Sequence, residues 1–187
     1  MWEFTSAQDA DVGFTFNEPS INPITGAYLQ IAKVADAAEV NGVWRVVVGN
    51  GYGSTNGNAV LFMLDANTGA SSTKLTAAMG SANGLSTPTP VDTDRDGLVD
   101  TVYAGDARGN MHKFQFSVPQ GLDFVLAKAG DSLGQWRYVG NLYTASTTAT
   151  PLVPSTREPI TTAQSVGTSC DGVGWNVTFG TGKLNED

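Results

Sequence analysis

Apolar residues in this chain fall into short runs rich in Val, Phe, Tyr and Thr, separated by clusters of Gly, Pro, Asn, Asp and Ser. Short period-two runs between such clusters predict β-strands rather than long helices. Arg45-Val-Val-Val-Gly-Asn50, Thr101-Val-Tyr-Ala-Gly-Asp106 and Asn176-Val-Thr-Phe-Gly-Thr181 share one shape, a strand ending in Gly and a small polar residue. That ending is a hairpin signal, and the first two are followed by partner strands, Ala59–Asp65 and Asn110–Phe116. Pro-containing edges stand at Glu18–Ile21, Ser86–Val91 and Glu158–Thr162. The Ala-rich piece from Tyr28 to Val40 has enough helix formers for a turn or two of helix.

Pro19, Pro88 and Pro159 lie 69 and 71 residues apart, a loose repeat. A multi-strand unit repeated radially is the propeller answer to exposed strand edges. The expected fold is therefore all-β: a partial β-propeller of antiparallel blades. Blades usually take about 40–50 residues, so insertions are expected around Ala35–Gly42 and from Leu122 to Gln135. The expected organisation is a single partial domain over residues 1–187, with blades near 1–85 and 86–150 and an incomplete one at 151–187. A closed ring of four or more blades needs more chain than this.

Composition narrows the function. Eighteen acids against ten bases leave a net charge of −8, the opposite of the basic footprint that nucleic acid requires. No apolar run approaches the roughly 20 residues of a transmembrane helix. One cysteine, Cys170, excludes an internal disulfide framework and a multi-cysteine zinc site. The opening Met-Trp-Glu-Phe-Thr-Ser is acidic and lacks a signal peptide's basic stretch and apolar core. It reads as a start placed inside a longer protein, so the parent's compartment is not legible from it.

The sharpest chemical feature is Asp92-Thr-Asp-Arg-Asp-Gly-Leu-Val-Asp100. Carboxylates stand at positions 1, 3, 5 and 9 (Asp92, Asp94, Asp96 and Asp100), with Gly97 at position 6. Alternate side chains converge when such a loop curls, and a glycine at position 6 makes the sharp turn that points the next carbonyl inward. The loop offers oxygen only, which suits Ca2+, with its six to eight oxygens at about 2.3–2.6 Å, and not zinc. Arg95 points outward in such a loop and offsets only part of the carboxylate repulsion. Tyr103 occupies the twelfth position, so Asp100 must close the loop earlier than in a full EF-hand. The bland alternative is a solvated Asp-Gly turn without metal.

Other candidates are weaker. Gly49-Asn-Gly-Tyr-Gly53 is followed by polar turn and strand, not by the helix a dinucleotide loop needs. Gly180-Thr-Gly-Lys183 lacks the Ser/Thr of a phosphate loop, with Leu184 in its place. His112 has no second His and is expected to be structural or on the surface; Cys170 lacks a paired base. The four tryptophans, Trp2, Trp44, Trp136 and Trp175, are expected to pack between sheets, with one on an exposed rim as the alternative that would aid adhesion, and the glycosylation triplet Asn176-Val-Thr178 falls inside a predicted strand.

Taken together and in order, several pieces resemble the C-terminal β-propeller domain of the PilC/PilY family of type IV pilus biogenesis proteins. They are Gly13–Ser20, Val47–Tyr52, Leu64–Gly69, Gly84–Gly97, Val102–Asn110, Pro159–Thr162 and Phe179–Lys183. The resemblance implies a non-enzymatic module with a short EF-hand-like calcium loop. Its ligands would be Asp92, Asp94, Asp96 and Asp100, with the main-chain oxygen of Leu98. It further implies a protein of the Gram-negative cell surface, pilus tip or outer membrane. That protein would promote pilus extension, adhesion and twitching with minor pilins, and meet host or abiotic surfaces. The family's Arg-Gly-Asp motif is absent, since Asn110 ends Arg108-Gly-Asn. Self-association through open blade faces is a further expectation. A rival reading is a quinoprotein dehydrogenase, sharing the Asp-x-x-Thr-Gly turn at Asp65–Gly69; the usual Trp is missing from Ser71–Lys74. A generic calcium-stabilised outer-membrane scaffold is the third.

Overall fold

The computed structural model describes residues 1–17, 30–80, 82–121, 123–145 and 157–182. Among them, three antiparallel sheets and no helix are found. β1 (Ile31–Val34), β2 (Val43–Gly49), β3 (Ala59–Asp65) and β4 (Ser71–Ala78) form a four-stranded meander. The second sheet runs β5 (Thr89–Val91), β6 (Thr101–Gly105), β7 (Asn110–Gln120) and β8 (Asp123–Leu126), and β9 (Gln135–Thr144) also pairs with β7. β10 (Ser165–Thr168) and β11 (Trp175–Thr178) make a separate hairpin. The repeated meander is the all-β, blade-like architecture that the hydrophobic pattern predicts.

The sheets stack because their central strands are apolar on both faces. In β3, Ala59, Leu61 and Met63 face one way and join Val47, Leu85, Val102, Ala104 and Phe114 in the core shared by the first two sheets. Val60, Phe62 and Leu64 face the other way, under Val12, Trp2 and Phe4 of the N-terminal segment. Period-two alternation with both faces covered is what makes β3 read as one continuous apolar run. The opposite side of the second sheet, Tyr103 and Met111, packs on Ile160, Val166 and Val177. Glycines allow the closest approaches: a Cβ on Gly84 would sit 2.0 Å from the Gly51 carbonyl oxygen.

Two expectations need correction. Within the Ala-rich piece, Ile31–Val34 is a strand, paired Ile31↔Val46 through Val34↔Val43; ladder bonds and the burial of Val34 in the shared core override a weak helix propensity. Tyr28 and Glu18–Ile21, including Pro19, lie outside the described residues. Not every tryptophan packs between sheets: Trp136 lies against Phe116 and donates its indole N–H to the Ala35 carbonyl at 2.9 Å, but Trp44 is 55% exposed. Trp2 stacks on Gly69, where a Cβ would meet its ring at 2.3 Å. The turn at Asp65–Gly69 thus receives its tryptophan from the N-terminal segment.

One main-chain junction positions the acidic loop. Val34 and Val99 form an isolated parallel bridge, with Ala35 N–H donating to the Val99 carbonyl at 2.8 Å and Val99 N–H to that of Lys33 at 2.9 Å. The residue before Asp100 is therefore held by the first sheet, while Asp100 is bonded to the second, donating its N–H to the Val91 carbonyl and accepting from Phe116 N–H.

Candidate metal centre

β5 and β6 are paired up to Val91↔Thr101, so the nine residues between them must leave and return to the same point. That brings Asp92 and Asp100 together. Asp92 Oδ1 accepts the main-chain N–H groups of Arg95 (2.7 Å) and Asp96 (3.2 Å), and its Oδ2 accepts that of Gly97 (2.8 Å). The curl around this carboxylate uses left-handed backbone at Arg95 (φ 63°) and Gly97 (φ 92°). For a non-glycine residue this conformation costs about 1–2 kcal/mol, so the hydrogen bonds to Asp92 must hold Arg95 in place. Asp100 is 3% exposed. Its Oδ2 accepts from Thr93 N–H (2.9 Å) and Asp94 N–H (3.2 Å), and its Oδ1 from the Thr93 hydroxyl (2.5 Å).

The structure brings three of the four carboxylates together: Asp92, Asp94 and Asp100 each offer an oxygen, all within 4.8 Å of one another. Asp96 stands outside that cluster, exposed, with its Oδ1 accepting Leu98 N–H at 3.0 Å. Leu98 anchors the loop through its buried side chain, which fills the space over Gly42. There a Cβ would lie 2.8 Å from Leu98 Cδ2 and 2.6 Å from the Val34 carbonyl oxygen. The donor set fits a hard divalent cation: oxygen only, anionic, and partly buried at Asp100.

Lys128 is a neighbour of the cluster that the sequence pattern does not reveal. Its ammonium lies 3.1 Å from Asp94 Oδ2. The hydrogen bond and charge of Asp94, helped by the more distant charges of Asp96 and Asp100, hold it above the ordinary lysine range. Arg95 contributes its main-chain N–H, while the cationic side chains that offset the carboxylates are Lys128, paired with Asp94, and the half-buried Lys113, which feels the charge of Asp100. At 34 residues beyond Asp94 in sequence, Lys128 leaves no local signal.

The weaker candidates have structural roles. His112 is buried, its Nε2 2.9 Å from Asp106 Oδ2 and its Nδ1 3.1 Å from the Tyr138 hydroxyl. Burial pushes the Asp106 carboxyl up, but hydrogen bonds from His112, Asn110 and Asn83 outweigh it and hold the carboxyl below the usual range. Asn110 is 9% exposed and turned onto Asp106 at 2.8 Å, so the Arg108-Gly-Asn turn does not present its third side chain. Gly51 serves close packing, with a Cβ there only 2.0 Å from the Phe14 carbonyl oxygen. Cys170 is exposed in the β10–β11 connection, and Lys183 and Leu184 lie outside the described residues. No helix among the described residues is long and apolar enough to cross a membrane.

Relatives of the chain agree with this architecture. It is 34% identical over its whole length to the type IV pilus biogenesis factor PilY1 of Pseudomonas aeruginosa, of which it covers 15%. It is 38% identical over 128 residues to a PilY1 homologue of Xylella fastidiosa, covering 63% of this chain and 8% of that protein. The chain thus spans a small fraction of the curated relatives it matches. The crystal structure of the P. aeruginosa PilY1 C-terminal domain superposes with a TM-score of 0.75 at 34% identity, over 97% of this chain and 35% of that one. A family model described as the PilY1 beta-propeller domain matches residues 7–187, and with these sheets beneath the match the chain belongs to the PilY1 β-propeller domain family.

Proposed function

We propose that this segment is a calcium-binding, non-enzymatic module of a type IV pilus biogenesis protein. The parent would act at the cell surface, the pilus tip or the outer membrane of a Gram-negative bacterium. Working with minor pilins, it would support pilus extension, adhesion and twitching. The observation that carries the calcium reading is the convergence of Asp92, Asp94 and Asp100 within 4.8 Å on a loop whose two ends are paired in the second sheet and whose Val99 is bonded to the first. The pilus reading is supported by the kinship with PilY1 proteins, which are named as pilus biogenesis factors.

Asp92, Asp94, Asp96 and Asp100 would supply carboxylate oxygens, and Leu98 a main-chain oxygen. The bound ion would neutralise carboxylates that otherwise repel one another. Because Val99 is bonded to β1, occupancy would also stiffen the junction between the first two sheets. A ligand at tenfold its Kd stabilises the native state by about 1.4 kcal/mol, or about 3–6 °C in melting temperature for a domain of this size. Thermal melts in chelator and in millimolar calcium should differ by that amount for the wild type, and by little for Asp94→Asn. Identical wild-type melts, with no binding heat in calorimetry, would refute the calcium reading. A full-length Asp92→Asn/Asp94→Asn protein that restores normal twitching to a deletion strain would refute its role in motility.

A further inference from the structure

We infer that Lys128 is a tethered competitor for the cation site, a built-in monovalent charge that a divalent ion must displace from Asp94. The inference rests on the calcium reading above. Lys128 Nζ lies 3.1 Å from Asp94 Oδ2, and Asp94 is one of the three clustered carboxylates. The backbone that carries Lys128 is held on both sides. Ala127 is buried against Ala35 and Phe116, and its N–H donates to the Phe116 carbonyl at 3.1 Å; two residues past Lys128, Gly130 N–H donates to the Asp36 carbonyl at 2.8 Å. The side chain between these anchors is 76% exposed, so it reaches the loop from a fixed base and can swing away at small cost.

Two consequences follow for affinity. The ion must replace a surface ion pair, a weak interaction. After displacement, the ammonium still stands near a doubly charged ion, and water-like screening reduces that repulsion without removing it. Both effects weaken calcium binding, together by about three- to tenfold. In the metal-free protein the same lysine neutralises part of the carboxylate charge, which keeps the loop ordered when calcium is scarce. Lys128 thereby raises the calcium concentration at which the site fills.

The test is calorimetric titration of the 187-residue protein with calcium alone, for wild type, Lys128→Met and Lys128→Arg. Melts in chelator and in calcium run alongside. Lys128→Met keeps the aliphatic stem and should bind about three- to tenfold tighter, with a wider gap between the two melts. Lys128→Arg keeps the charge and should match wild type. Wild type and Lys128→Met binding equally, or Lys128→Arg binding as tightly as Lys128→Met, would overturn it and leave the calcium reading standing. No heat and no melting shift in any of the three would overturn both.

Discussion

Replacing Asp106 by Asn changes one atom in the most densely bonded buried carboxylate among the described residues, and its cost can be worked from the contacts. Asp106 is 0% exposed. Its Oδ1 accepts the main-chain N–H groups of Arg108 (2.9 Å) and Asn110 (2.8 Å). Its Oδ2 accepts the side-chain amides of Asn83 and Asn110, both at 2.8 Å, and His112 Nε2 at 2.9 Å. In Asp106→Asn one acceptor survives for the two main-chain donors, while an NH2 group faces three other donors. Each buried donor left without an acceptor costs about 1–3 kcal/mol. Such costs within one network are not additive, so the expected loss is about 3–5 kcal/mol, comparable to breaking a buried ion pair. That is a large share of the 5–15 kcal/mol typical of a folded domain.

The loss should be global, because Asp106 joins separate parts of the chain. Its N–H donates to the Asn110 carbonyl at 3.0 Å, its carbonyl accepts Ile160 N–H at 3.0 Å, and it bridges antiparallel to Leu85. Equilibrium urea unfolding measures the effect directly. With a slope near 2 kcal/mol/M, the midpoint should fall by about 1.5–2.5 M. A double-mutant cycle with His112→Gln should show coupling of about 0.5–3 kcal/mol, since the two side chains share one bond. A stability loss below about 1 kcal/mol would mean the carboxylate is dispensable and would refute this account of the network.

Three further outcomes are expected. The carboxyls of Asp106 and Asp11 are both held low, burial opposing but outweighed in Asp106 by His112 and the asparagines and in Asp11 by Lys74 and its asparagine neighbours. A depressed folded-state pKa contributes stability above the unfolded value near 3.9 and loses it as pH falls through the folded value, so melts should weaken below about pH 4; an unchanged melting temperature down to pH 2 would contradict this. Gly84→Ala should destabilise by about 2–3 kcal/mol or more, because its Cβ would sit 2.0 Å from the Gly51 carbonyl oxygen; a wild-type melt would refute that packing. The exposed side chains of Phe124, Val139, Leu142 and Tyr143 on β8 and β9 should drive concentration-dependent association of the isolated segment, as unpaired apolar edges do; a monomer by sedimentation at all concentrations would count against it.

The continuous apolar run of β3 and the apolar Met111, Phe114 and Phe116 of β7 place both strands, because each covered face leaves apolar side chains at the positions that point to it. The turn chemistry is equally local: Gly97 adopts φ 92° where the sixth position of the loop demands it, and Asp92 collects the N–H groups three, four and five residues ahead. The acidic loop, the pairing of β2 with β3 and of β6 with β7, and the all-β class were therefore legible from neighbouring residues alone. Contacts between distant residues were not. In Ile31–Val34 the β-branched Ile31 and Val34 stand beside the helix formers Ala32 and Lys33, and the balance tips to strand when β2 offers a ladder and the core accepts Val34. The division of the acids, with Asp92, Asp94 and Asp100 together and Asp96 apart, depends on how the curled loop closes. His112 becomes a core residue only because Asp106 and Tyr138 meet it from other positions in the sheet. Lys128 reaches Asp94 because burial of Ala127 and the Gly130–Asp36 hydrogen bond aim it there. Local turn and strand preferences act over a few residues, whereas these side chains are brought together only when the sheets stack.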